Sequence, residues 1–128
     1  MINFQKEHNF TWRLKEADPD KCPTLVYALL VEGEEILSVF KAVGDKIVFT
    51  NKRIIVFDAH TMISKQGSYA TLPYSKIQYF TITTPLPSQI VPRAALEIVF
   101  ANGFVATFEF STSVNIGNIG QTISDYML

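Results

Sequence analysis

Ala95-Leu-Glu-Ile-Val-Phe-Ala-Asn-Gly-Phe-Val-Ala-Thr-Phe-Glu-Phe110 is two alternating apolar and polar runs joined at Ala101-Asn102-Gly103. Asn-Gly often forms a two-residue hairpin loop. Here that loop would set Phe100 against Val105 and Leu96 against Glu109, mixing core and polar residues on each face. A three-residue loop with a left-handed Gly103 pairs Phe100 with Phe104, Ile98 with Ala106 and Leu96 with Phe108. One face then becomes wholly apolar, and the other carries Glu97, Val99, Val105, Thr107 and Glu109. A one-residue slip would turn the apolar set to solvent. Each large buried side chain is worth roughly 1.5–3 kcal/mol, so burial selects the three-residue loop. Past the hairpin, Ile116, Ile119, Ile123, Tyr126 and Met127 mark one face of a helix. Ser111-Thr112-Ser113 offers its caps. A hairpin handing over to one closing helix implies a small antiparallel barrel with a helical lid. Such an architecture does not name an activity.

The chain has 128 residues, 48% apolar and 18% charged, with ten Phe. That suits one globular domain with a self-sufficient core. The net charge of −1 provides no basic footprint for nucleic acid. Residues 1–35 carry −3 and residues 36–128 carry +2. The longest apolar run, Leu25 to Val31, is too short to span a bilayer. The amino-terminal residues lack a signal-peptide pattern. The single Cys22 excludes an internal disulfide framework. Together these point to a cytoplasmic setting.

Phe10, Trp12 and Leu14 alternate with polar residues, which predicts a short strand. Pro23 suits the first turn of a short helix carrying Leu25, Val26, Leu29 and Leu30, with Gly33 as its stop. Ile36 to Val43 predicts the next strand. Lys46 to Thr50 and Arg53 to Asp58 predict a hairpin across Asn51-Lys52, with Phe49 opposite Ile54 and Ile47 opposite Val56. Its other face carries Val48, Ile55 and Phe57, so both faces are apolar. A strand with one solvated face would alternate more cleanly. A helix, the amino-terminal segment or a second copy of the chain must therefore cover the second face. Ala59 to Gly67 reads as a polar connector. Ser68 to Leu72 and Ile77 to Thr83 read as strands separated by Pro73-Tyr74-Ser75-Lys76. Three prolines mark Thr84 to Arg93 as a loop tipped by Ile90-Val91.

Phe49-Thr50-Asn51-Lys52-Arg53-Ile54-Ile55, then Leu72-Pro73-Tyr74-Ser75-Lys76-Ile77, and a tail from Asn115 through Ile123 resemble the bacterial pleckstrin homology (PH)-like domain family. The resemblance covers roughly residues 30–128 and leaves residues 1–22 as an atypical extension. It implies a mostly β fold, a seven-strand barrel or orthogonal sandwich capped by one carboxy-terminal helix; the short amino-terminal strand and helix read from the residues are an addition to it. It also implies homo-oligomers, often rings, with no assigned enzymatic activity.

No catalytic constellation accompanies this pattern. Cys22, His8 and His60 are far apart and match no nucleophile–base or zinc spacing. Glu97 and Glu109 share an outer face, where solvation explains them. There is no Gly-rich phosphate loop and no other sign of a cofactor. Candidate contacts for an anionic ligand are Lys46, Lys52 and Arg53, although Lys52 and Arg53 point to opposite faces. Three cations near an anionic membrane supply about 3 kcal/mol, whereas a millimolar constant needs about 4. Membrane association by one copy is therefore weak, and avidity would be required. Candidate surface for self-association or a protein partner comprises Trp12, Val48, Ile55, Phe57, Ile90 and Val91. The expectation is a non-enzymatic, self-assembling scaffold or binding module, with a peripheral membrane or phospho-ligand binder as the alternative.

Overall fold

Two sheets form the frame of the computed structural model, which describes residues 13–22, 24–42, 45–57, 69–88, 90 and 92–128. The elements are β1 (Lys15–Ala17), α1 (Thr24–Leu29), β2 (Ile36–Ala42), β3 (Asp45–Thr50), β4 (Arg53–Phe57), β5 (Ala70–Pro73), β6 (Ile77–Thr83), β7 (Ala94–Phe100), β8 (Val105–Phe110) and α2 (Ile116–Met127). One sheet has the order β1-β2-β3-β4-β5 and the other β6-β7-β8. All strand neighbours run antiparallel. β5 and β6 are consecutive but unpaired, because a 3-10 turn at Tyr74–Lys76 carries the chain into the second sheet. The result is an open two-sheet sandwich, not a closed barrel.

The register of the β7–β8 hairpin follows burial. Leu96 faces Phe108 and Ile98 faces Ala106. The Phe100 amide donates to the Phe104 carbonyl at 2.8 Å. Gly103 has φ +88°, the left-handed geometry this loop requires. In the other hairpin, Ile47 faces Val56 and Phe49 faces Ile54. Those four side chains enter the core between the sheets. Phe40 makes edge-on contacts with Phe49 at 5.7 Å and with Phe110 at 5.2 Å, joining the two sheets.

Helix α2 covers one end of the sandwich with Ile116, Ile119 and Ile123. Gly120 allows close approach: a Cβ there would lie 3.4 Å from Ile82 Cγ1 and 3.6 Å from Phe80 Cε2. Tyr126 stacks on Tyr74 with ring centroids 5.6 Å apart. The cap is Asn115, whose side chain accepts from the Asn118 amide at 3.3 Å. The serines expected to cap it lie in a preceding turn. There the Val114 amide donates to the Ser111 carbonyl, and the two serine hydroxyls bond each other at 2.9 Å.

The described amino-terminal strand is Lys15–Ala17. Phe10 and Trp12 lie outside the described residues. Arg13 has φ +44°, a left-handed residue, and the described pairing with β2 runs from Lys15 to Ala17. Leu14 is fully buried and forms a parallel bridge with Phe110. Its amide donates to the Glu109 carbonyl at 2.9 Å, and its carbonyl accepts from the Ser111 amide at 2.8 Å. Leu14 thus links the two sheets at one corner.

The outer face of the larger sheet is also covered. Val39, Val48, Ile55 and Phe57 form a second cluster with Val26 of α1, and Ala17, Cys22, Leu29, Leu30 and Ile36 pack around it. This explains why the 46–57 hairpin is apolar on both faces. Helix α1 ends at Leu29, so Gly33 does not stop it. Gly33 lies instead in a later turn at φ +78°, where the Glu34 amide donates back to the Val31 carbonyl at 3.0 Å.

Candidate functional site

The most densely bonded polar cluster lies where the β3–β4 turn meets the segment after α1. Glu34 has a fully buried carboxylate. Arg53 Nε donates to its Oε2 at 2.9 Å and Arg53 Nη2 to its Oε1 at 3.0 Å. The Thr50 hydroxyl donates to Oε2 at 2.6 Å, and the Val31 amide donates to Oε1 at 3.0 Å. Two further Arg53 bonds reach the Leu29 carbonyl at 2.7 Å and Thr71 Oγ1 at 3.0 Å. Asn51 completes the clasp, accepting from the Glu35 amide at 2.8 Å and donating to the Gly33 carbonyl at 2.9 Å. Tyr74 reaches the same turn from inside, its hydroxyl donating to the Thr50 carbonyl at 2.8 Å.

The electrostatics follow from this geometry. Burial pushes the Glu34 carboxyl up, but the bonds from Arg53, Thr50 and Val31, with the Arg53 charge, outweigh it. The carboxyl is held below the usual carboxylate range. Burial, reinforced by Tyr126 and Glu34, pushes the Tyr74 phenol well above its ordinary value. The Thr50-Asn51-Arg53 residues of the recognised motif, together with Tyr74, therefore form a structural clasp. They fasten the segment after α1 onto the sheet, and α1 in turn covers Val48, Ile55 and Phe57.

The three expected anion contacts are held apart. Arg53 is engaged by Glu34, with 15% of its side chain exposed. Lys46 lies at the start of β3 and Lys52 in the turn beyond its far end, with about 14 Å of strand from Lys46 to Thr50 at about 3.4 Å per residue. Lys46, Lys52 and Arg53 do not converge. A different basic group does. Lys15 is paired with Lys41, and Lys41 with Lys46, across β1, β2 and β3. Alternation puts all three on the outer face, two residues along from Ala17, Val39 and Val48 respectively. Lys41, Lys46 and Lys21 border a cavity of about 310 Å³ together with Glu16, Asp18 and Cys22. Burial raises the Cys22 thiol, with Lys46 opposing and Asp18 and Asp20 adding to the rise. It is therefore not an activated nucleophile.

Three residues of the expected self-association surface are already covered within the chain. Val48, Ile55 and Phe57 are at most 1% exposed, because α1 and its flanks occupy that face. They are core residues of this chain. Ile90 is wholly exposed in the Pro-rich loop. Trp12 and Val91 lie outside the described residues, as do His8 and His60. Among the described residues, no cluster of three or more His, Cys, Asp or Glu is placed to hold a metal, and no helix is long and apolar enough to cross a membrane.

Sequence reasoning missed Glu34, which stands among Glu32, Gly33 and Glu35 with nothing local to single it out. It also missed the edge of β6. Among the described residues β6 pairs only with β7, and its seven residues, Ile77-Gln-Tyr-Phe-Thr-Ile-Thr83, contain no charge and no proline. Tyr79 is 52% exposed on this strand.

A seven-strand antiparallel sandwich closed by one carboxy-terminal helix, with a short amino-terminal strand and helix against it, defines a PH-type domain. The bacterial PH domain family matches residues 7–127, and the chain belongs to that family. It is 54% identical over 55 residues to the uncharacterized Bacillus subtilis (strain 168) protein YozO, a match spanning 43% of this chain and 47% of that protein. It is 39% identical over 56 residues to the uncharacterized protein YjqA of the same organism, spanning 44% of this chain and 45% of that protein. The chain thus spans just under half the length of these curated relatives. Among solved structures, it is similar to a DUF1696 family protein with a pleckstrin-homology domain from Shewanella loihica PV-4. The TM-score is 0.78 at 23% identity, covering 91% of this chain and 98% of that one. A pleckstrin homology domain from Shewanella amazonensis SB2B gives a TM-score of 0.66 at 26% identity, covering 88% and 90%.

Proposed function

We propose that this domain is a non-enzymatic cytoplasmic binding module that assembles with copies of itself through the edge of β6. The observation carrying this reading is the uncharged edge itself. A strand with an unpaired backbone row is a template for another strand. Proteins that remain monomeric commonly blunt such edges with Lys, Pro or a covering element, and β6 contains neither residue. Pairing of β6 with its own copy about a two-fold axis gives a dimer. Seating of β6 on a different surface of the neighbour gives a closed ring. Light scattering at micromolar concentration is expected to return a multiple of the chain mass. Thr81→Lys, on an exposed position of β6, is expected to shift that mass toward one chain without lowering Tm. A wild-type monomer at that concentration removes the reading.

The row Lys15, Lys41 and Lys46 favours a second reading, an anionic-ligand site. Like charges directly opposite on neighbouring strands are destabilising, so an anion across the row would relieve a standing repulsion. Binding of inorganic pyrophosphate, measured by calorimetry at low salt, is expected to weaken at least tenfold in Lys41→Glu and to weaken with added salt. Cosedimentation with phosphatidylglycerol vesicles, tested in parallel, separates a lipid headgroup from a soluble phosphate. Heats unchanged by Lys41→Glu would rule the row out.

A further inference from the structure

We propose that the open corner between β5 and the β7–β8 turn binds an extended apolar peptide carrying an acidic residue, supplied by a partner protein. A groove of about 440 Å³ lies there, walled by Leu72 and Pro73 on one side and Phe100 and Phe104 on the other. Lys76 supplies the only charge among the described residues lining it. One wall is β5, all four of whose residues line the groove. β5 terminates its sheet, and its outer edge pairs with no strand among the described residues. A strand edge with no neighbour among the described residues, beside an apolar recess, suits strand addition: main-chain bonds supply affinity, and alternate side chains enter the recess. A small apolar ligand would fill the groove but leave the β5 edge unused.

The charge of the groove specifies the partner. A side chain flanking the inserted apolar residue meets Lys76, so a carboxylate fits and a second cation does not. The chain's own exposed apolar loop, Thr84 to Arg93, contains no carboxylate and ends in arginine, so it is poorly matched to this recess. The site uses a different edge from β6 and does not depend on self-assembly.

The test uses the full chain, backbone-amide NMR and two nonapeptides of alternating valine and threonine, one with a central glutamate and the other with a lysine in its place. The glutamate peptide is expected to shift amides of Thr71, Leu72 and Asn102, and to bind with Kd of about tens of micromolar, at least about tenfold tighter than the lysine peptide. Lys76→Glu is expected to invert that preference. Ala101→Trp, on the exposed turn lining the groove, is expected to abolish binding while leaving Tm and solution mass unchanged. Equal binding of the two peptides, no shift with either up to about 1 mM, or shifts confined to β6 would overturn the proposal. So would shifts at the groove on simple dilution of the protein, which would make a second copy the occupant. Shifts produced there by octanoate but by neither peptide would assign the groove to a small apolar anion and equally overturn it.

Discussion

Removal of residues 116–128 is expected to abolish the cooperative unfolding transition and send the product into aggregates. Ile116, Ile119 and Ile123 are each at most 4% exposed, and at roughly 1.5–3 kcal/mol apiece they account for about 5–9 kcal/mol. A domain of this size has about 5–15 kcal/mol of stability in total. The loss extends past the helix, because Phe80, Ile82 and Tyr74 would be uncovered with it. Gly117 and Gly120 each cost the helix about 1 kcal/mol relative to Ala, so α2 forms because it docks. Thermal unfolding followed by circular dichroism and gel filtration reads the result. A shortened chain that stays soluble and melts at the parental temperature would contradict the role assigned to α2.

Glu34→Ala is expected to cost about 3–5 kcal/mol, the range for removing one partner of a buried ion pair. Arg53 would be left with neither of its carboxylate bonds, and Thr50 and the Val31 amide would lose their acceptor. The pH dependence has a definite sign. The folded carboxyl titrates below its unfolded value, so the unfolded chain takes up the proton first as pH falls. Stability from Glu34 is complete above the ordinary glutamate range, about 4.3, and is lost as pH drops through the lowered folded value. Urea midpoints measured from pH 7 to about pH 3 should therefore fall steeply in the wild type and less steeply in Glu34→Gln. Amide exchange adds a positional readout. On acidification, α1 and the 30–35 segment should open before β7 and β8. Identical acid limbs in wild type and Glu34→Gln would show that the clasp carries no such linkage.

Most of the scaffold could be read from alternation. The β7–β8 register, its three-residue loop and the 46–57 hairpin each followed from asking which pairing buries apolar residues on one side. That argument succeeds wherever one face is wet. It is ambiguous at Val48, Ile55 and Phe57, because a strand apolar on both faces does not say what covers it. The answer lay in α1, six residues with only Val26 fully packed, whose helical spacing was visible but whose destination was not. The motif Thr50-Asn51-Lys52-Arg53 identified the family from its letters. Its physical work was hidden because it depends on Glu34, nineteen residues upstream in the chain. The basic row was equally hidden. Lys15, Lys41 and Lys46 become neighbours only through cross-strand register, whereas the sequence placed Lys52 and Arg53 side by side. The misplaced helix cap has a local cause: three hydroxyl residues in a row are a good capping signal, but the chain used them to turn and left the capping to Asn115.

The parallel bridge at Leu14 bears on how the protein is made. Its partners, Glu109, Phe110 and Ser111, lie in and just after β8 and leave the ribosome long after Leu14 does. Contacts this distant in sequence close slowly, so the seam between the sheets stays unsealed until β8 has emerged. Until then the nascent chain presents Phe40, Phe49 and their neighbours to whatever surrounds it, and a chain stalled before β8 would be an unzipped, sticky intermediate for chaperones to hold.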